Sequence, residues 1–124
     1  MSSWKEYVDI ARDRGSLAAE FFAVHTVPGE AADRIGEVLP RHLDYQKDLQ
    51  DRRILVFAGP LSDVSGEYLS GEGLIIYRAA TLTEADILAA ADPMHAEGCR
   101  TYTLKRWLIN EGHIPDELRP LDTA

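Results

Sequence analysis

The sequence predicts a single α+β domain of split βαβ, ferredoxin-like type, with elements in the order strand, helix, strand, strand, helix, strand. Three observations carry that expectation. Short apolar runs closed by glycine and proline alternate with stretches of helical period. The chain has 124 residues and no internal repeat, a length suited to one core. Hydrophobic residues make up 45% and charged residues 27%, the composition of a globular protein. Within the single domain 1–124, a core is expected over about residues 17–109, an added helix over 3–14 and an arm over 110–124.

The elements follow in order. Trp4, Val8 and Ala11 form a helical stripe, with Ser3 as cap, Glu6 completing a capping box and Gly15 as stop. Leu17 to Val27, rich in Phe21, Phe22 and Val24, reads as a strand closed by Pro28-Gly29. Glu30 to Arg53 is helical in pattern, and Pro40 either kinks one helix or opens a second. Its inward stripe is read as Ile35, Leu39, His42, Leu43, Gln46 and Leu49. Ile54 to Ala58 is a second strand, ended by Gly59-Pro60. Ser62 to Gly73 reads as a loop, and Leu74 to Ala79 as a third strand. Thr83 with Asp86 then caps a helix through Ile87 to Ala91 that Asp92-Pro93 breaks. Thr101 to Ile109 is the fourth strand, with Tyr102 and Leu104 on one face and Trp107 on the other. The tail after Gly112 is an arm that lies on a surface or frays.

Two helices cover only one face of such a sheet. The strands nonetheless carry bulky residues of both parities (Phe21 and Phe22; Leu55, Val56 and Phe57), so the other face also needs cover. A second copy, sheet against sheet, would supply it as a homodimer with a barrel-like interior.

Charge narrows the partners. With 13 Lys and Arg against 21 Asp and Glu, the net charge is −8, which disfavours nucleic acid and anionic membrane surfaces. No apolar run approaches the length of a membrane span, and no secretory signal precedes the domain. Cys99 is the one cysteine, which fits a reducing, cytoplasmic setting and excludes an all-cysteine zinc site within the chain. It reads as buried and inert.

None of His25, His42, His95 and His113 belongs to a compact metal-binding pattern. His42 stands out because its helical stripe points inward, and an imidazole in a partly dry cavity suits proton transfer. It reads equally as a core histidine bonded to a backbone carbonyl. Asp92, at the C-terminal end of a helix, meets the negative end of the dipole, so either an imidazolium compensates it or it caps the turn at Pro93. Gly59-Pro60 directly after a strand permits close approach of a ligand, or is an ordinary turn. Arg41, Arg52 and Arg53 either hold an acidic substrate or pair at the surface with Asp44, Asp48 and Asp51. Glu67 and Glu72 read as solvated loop charges. No GxSxG elbow and no Walker lysine is present.

His42-Leu43-Asp44-Tyr45, then Leu55-Val56-Phe57-Ala58-Gly59-Pro60-Leu61, then Gly73-Leu74-Ile75-Ile76, then Ala91-Asp92-Pro93-Met94 closely resemble the YciI-like (YCII-related) family over about Leu17 to Leu108. The resemblance implies a dimeric α+β barrel fold. It implies a histidine–aspartate pair in a pocket near the dimer interface, falling on His42 and Asp92, with Gly59 and Pro60 lining it. It further implies chemistry like that of similar proteins that eliminate HCl from chlorinated aromatics, or of muconolactone isomerases. Both are proton abstraction beside a carbonyl or ring and need neither metal nor cofactor. The added N-terminal helix, the C-terminal extension and Met94 in place of a common aromatic residue depart from the family pattern.

The expected activity is that of a cofactor-independent isomerase or lyase on a small cyclic carboxylated or aromatic compound. His42 would be general base and later acid, and Asp92 its orienting partner. Backbone N–H groups near Gly59 to Leu61 would stabilise an enolate. Arg41 or Arg53 would hold a carboxylate, with Tyr45 also in the binding set. The alternative is a dimer of the same fold that binds a small molecule without transforming it.

Overall fold

A computed structural model describes residues 2–121; residues 122–124 of the expected arm lie outside the described residues. Helix α1 spans Trp4–Asp13 and buries Val8 and Ala11. Ser3 Oγ accepts the Glu6 N–H at 3.1 Å, and Gly15 leaves the helix at φ 83°, a conformation that glycine adopts without steric penalty. The Trp4 indole donates to the Glu20 carboxylate, tying the helix to the sheet.

Strands β1 (Ala19–Pro28), β2 (Leu55–Ser62), β3 (Leu69–Tyr77) and β4 (Arg100–Ile109) form one antiparallel sheet in the order β2-β3-β1-β4. Helix α2 (Ile35–Asp51) joins β1 to β2, and α3 (Leu82–Ala91) followed by the short α4 (Pro93–Ala96) joins β3 to β4. Strand β1 lies between β3 and β4, with His25 opposite Leu74 on one side and Thr103 on the other. The α+β architecture with a four-stranded antiparallel sheet is therefore present, and its order fits a ferredoxin-like fold.

The main core forms where both long helices cover one sheet face. Phe22, Val24, Ile75 and Tyr77 meet Leu49 of α2 and Ala85 and Ala89 of α3, with Tyr102 and Leu104 against the cluster. Each large apolar side chain so buried contributes about 1.5–3 kcal/mol. Val38, Met94 and Cys99, all fully buried, join α2 to α4.

Several local expectations need correction. The buried residues of α2 are Val38, His42 and Leu49, while Leu39 and Leu43 are exposed. Helical spacing fits both sets, and packing against α3 and α4 selects the Val38 stripe. Of the two expectations for Pro40, a second helix is not found: Pro40 sits inside the single helix α2, in its second turn, where only the Gly36 carbonyl loses its N–H partner. Strand β2 runs through Gly59-Pro60 instead of stopping there, because it is an edge strand, where proline is tolerated. Its partner β3 begins at Leu69 and leaves only a short hairpin loop. The cap of α3 is Thr81, which accepts the Glu84 N–H at 3.1 Å, not Thr83. Glu72 is a half-exposed strand residue and not a loop charge: it lies in β3 and contacts His25 Nε2 at 2.6 Å.

The arm lies on the second face of the sheet. Ile114 packs on a cluster of Ala19, Phe21 and Ile76, and a short 3-10 turn at Asp116–Leu118 follows. Arg78 fixes that turn by donating to the Arg119 carbonyl at 2.7 Å. Beyond this cover, Phe57 stays 69% exposed and Trp107 45%.

Candidate functional site

Asp92 stands between two helices. Its extended backbone (φ −60°, ψ 124°) ends α3 and starts α4, and its Oδ1 accepts the Met94 N–H at 3.0 Å. Proline at position 93 enforces this break, since the residue before it avoids helical geometry. The same Oδ1 lies 2.7 Å from His42 Nδ1. Asp92 is fully buried and His42 is 7% exposed. The two sequence readings of Asp92, cap and imidazole partner, are thus both realised by one oxygen. The helix-dipole penalty at the end of α3 is offset by these two donors.

The tautomer follows. A carboxylate only accepts, so His42 Nδ1 carries the shared proton and Nε2 of the neutral ring holds a free lone pair. His42 lines a cavity of about 360 Å³ between α2 and the β2–β3 side of the sheet. Its walls include Leu39, Leu43 and Gln46 of α2, Gly59 and Pro60 of β2, Leu74 of β3, Thr26 of β1 and Arg100 of β4. With Nδ1 committed to Asp92, the opposite edge of the ring is the one left for this space.

The polar surroundings of the pair are partly or fully buried. The Tyr45 hydroxyl donates to the Leu88 carbonyl at 2.7 Å, and burial followed by the nearby Asp92 charge raises its pKa. Burial, and then the same charge, pushes the Tyr77 phenol up strongly. His95 Nδ1 donates to the Ala89 carbonyl at 2.7 Å, and its Nε2 meets Thr26 Oγ1 at 3.0 Å. Burial lowers the His95 pKa, opposed by the Ala89 hydrogen bond and the charge of Asp92. Among the described residues, no group of three His, Cys, Asp or Glu side chains is placed to hold a metal ion.

The structure brings His42 and Asp92 together and puts Gly59 and Pro60 on the same cavity as His42. It does not bring Arg41, Arg53 or Tyr45 there. Arg41 pairs with Glu97. Arg53 sits at the end of α2 with φ 61°, and its carbonyl accepts from Arg78. Tyr45 turns into the main core. The expected enolate donors at Gly59 to Leu61 also fall away as candidates. These residues lie in a strand, whose N–H groups run in the plane of the sheet and not toward the face that His42 occupies.

Thr26 and Arg100 were not singled out by sequence, although strand alternation held a signal for both. Thr26 shares parity with Phe22 and Val24, and Arg100 with Tyr102 and Leu104. His95 had no such signal, since its place depends on the turn at Asp92.

Residues 20–108 match the YCII-related domain. The chain belongs to the YCII-related family. A 70-residue stretch, 56% of this chain, is also 31% identical to the uncharacterized protein YjpA of Bacillus subtilis (strain 168), of which it covers 75%. Within this YCII-related protein, the matched region includes the whole sheet except the first and last residues, Ala19 and Ile109, together with both members of the His42–Asp92 pair.

Proposed function

We propose that this protein is a cofactor-independent isomerase or lyase that moves a proton on a small cyclic carboxylated or aromatic compound. The observation that carries this reading is the 2.7 Å contact between His42 Nδ1 and the buried Asp92, with the rest of the His42 ring at a cavity. His42 Nε2 takes a proton from carbon beside a carbonyl, and the C–H electron pair moves into an enolate. Asp92 holds the tautomer and stabilises the imidazolium that forms. The protonated His42 then returns the proton to another carbon, which is isomerisation. Alternatively, the enolate expels chloride from the neighbouring carbon, and the net loss is HCl. A positioned histidine contributes about 10²–10⁴-fold, and orientation within the cavity supplies more.

A second copy is proposed to cover the open face of the sheet, giving a homodimer with a barrel-like interior. Phe57 and Trp107, large and exposed on the face away from α2 and α3, support that reading.

The test is a screen of lactones and chlorinated diene acids for an ultraviolet change with the purified protein and with His42→Ala. Turnover that the variant lacks supports the reading. Equal change in both proteins, or tight binding with no turnover in the wild type, overturns it; the second result leaves a binding protein.

A further inference from the structure

The cavity beside His42 carries two polar groups whose hydrogen-bonding roles are set by their neighbours. Arg100 lines it as the one cation among the lining residues. Its Nε is buried without a hydrogen-bond partner, and among the described residues no carboxylate pairs with its guanidinium. A buried N–H of this kind is expensive unless something accepts it. In a chain of net charge −8, a cation left unpaired on an apolar-walled cavity selects an anion.

Thr26 is the second group. The Ala89 carbonyl can only accept, so His95 Nδ1 bears a hydrogen, and Nε2 of the neutral ring must accept. The hydrogen of the Thr26 hydroxyl is therefore committed to His95 at 3.0 Å. What the oxygen can still do is accept. Thr26 pairs with Tyr102 and Arg100 stands two residues further along β4, so the two groups are diagonal neighbours on the helix side of the sheet. A single small molecule reaches both.

We propose that Arg100 and Thr26 together select a small carboxylate that also bears a hydroxyl group, the carboxylate on the guanidinium and the hydroxyl donating to Thr26. This rests on the reading of the cavity as the substrate site and names the chemical class it takes. His42 lines the same cavity, so a molecule held by these two groups shares the space with its ring.

The experiment is calorimetric titration of the full chain with benzoate, benzamide, the three hydroxybenzoates and their methyl ethers. In the wild type, benzoate binds and benzamide does not, and at least one hydroxybenzoate binds about tenfold tighter than benzoate or its own methyl ether. Arg100→Gln lowers benzoate affinity about tenfold or more. Thr26→Val removes the hydroxyl advantage and leaves benzoate unchanged, while Thr26→Ser retains it.

A pH series gives a readout that a merely structural Thr26 would not produce. Protonation of His95, which faces Asp92, His42 and Arg100, turns Nε2 into a donor and frees the threonine hydrogen. The advantage of the hydroxybenzoate over its methyl ether then narrows as pH drops, because the ether oxygen can accept the freed hydrogen, while benzoate binding does not fall with it. No benzoate binding, equal binding of benzamide, or a hydroxyl advantage that survives Thr26→Val overturns the proposal. His42-dependent turnover in the screen above would stand in that case, so failure here is distinct from failure of the proton-transfer reading.

Discussion

Nδ1 of His42 and Oδ1 of Asp92 lie 2.7 Å apart although 50 residues separate them in the chain. The contact joins α2, two residues after Pro40, to the junction of α3 and α4, so the pair reports on the packing of three helices as well as on chemistry. Asp92→Ala strands the His42 and Met94 donors and is expected to destabilise the fold by about 2–4 kcal/mol. Asp92→Asn keeps an oxygen at the Oδ1 position that both donors share, loses only the charge, and costs less. Urea unfolding of the two variants measures the difference, and equal losses would deny Asp92 its double role.

Stability is also expected to depend on pH through His95. Its folded pKa lies below the ordinary 6.5, and burial is the main cause. As pH falls, the unfolded chain takes up the proton first. The contribution of His95 is therefore complete above about 6.5 and is lost as pH drops through its folded value. Urea midpoints between about pH 8 and about pH 5 should fall more steeply for the wild type than for His95→Gln.

Two glycines separate backbone crowding from helix propensity. A Cβ on Gly29 would lie 2.4 Å from the Gly98 carbonyl oxygen and 3.2 Å from the Arg100 backbone nitrogen. Neither can swing away as a side chain would. Gly29→Ala should destabilise by about 2 kcal/mol or more and shift the start of β4, where Arg100 sits. Gly36, in the first turn of α2, meets nothing within 4 Å, and Gly36→Ala should stabilise by about 0.5–1 kcal/mol. Thermal melts of the two variants should move in opposite directions.

The proposed second copy makes a mass prediction. Light scattering should give twice the 13.8 kDa chain mass for the wild type, and the single-chain mass for a Phe57→Glu, Trp107→Glu double variant. A monomeric wild type would remove the barrel reading.

Element order was legible because apolar runs between glycine and proline mark strands whatever their partners. The pairing of His42 with Asp92 came from motif resemblance, since nothing local to Asp92 says which helix approaches it. Helix phase was misread at Leu39 and Leu43 because two stripes of α2 are apolar, and only the packed neighbours choose between them. The choice between the two readings of the arginines is hidden from sequence for a related reason. Sequence shows charge at Arg41, but the Glu97 that captures it arrives from after α4. The continuation of β2 through Pro60 is not legible because proline usually ends a strand, and edge position is a property of the sheet rather than of the residue.

That edge position has a further effect on how molecules of this protein meet. Along its outer row, β2 has no donor at Pro60, and its register slips between Leu55 and Phe57 and again between Pro60 and Ser62. A foreign strand laid alongside would find an interrupted ladder. Open-ended stacking from copy to copy, which needs both edges of the sheet, is thereby discouraged even though the opposite edge, β4, is uninterrupted.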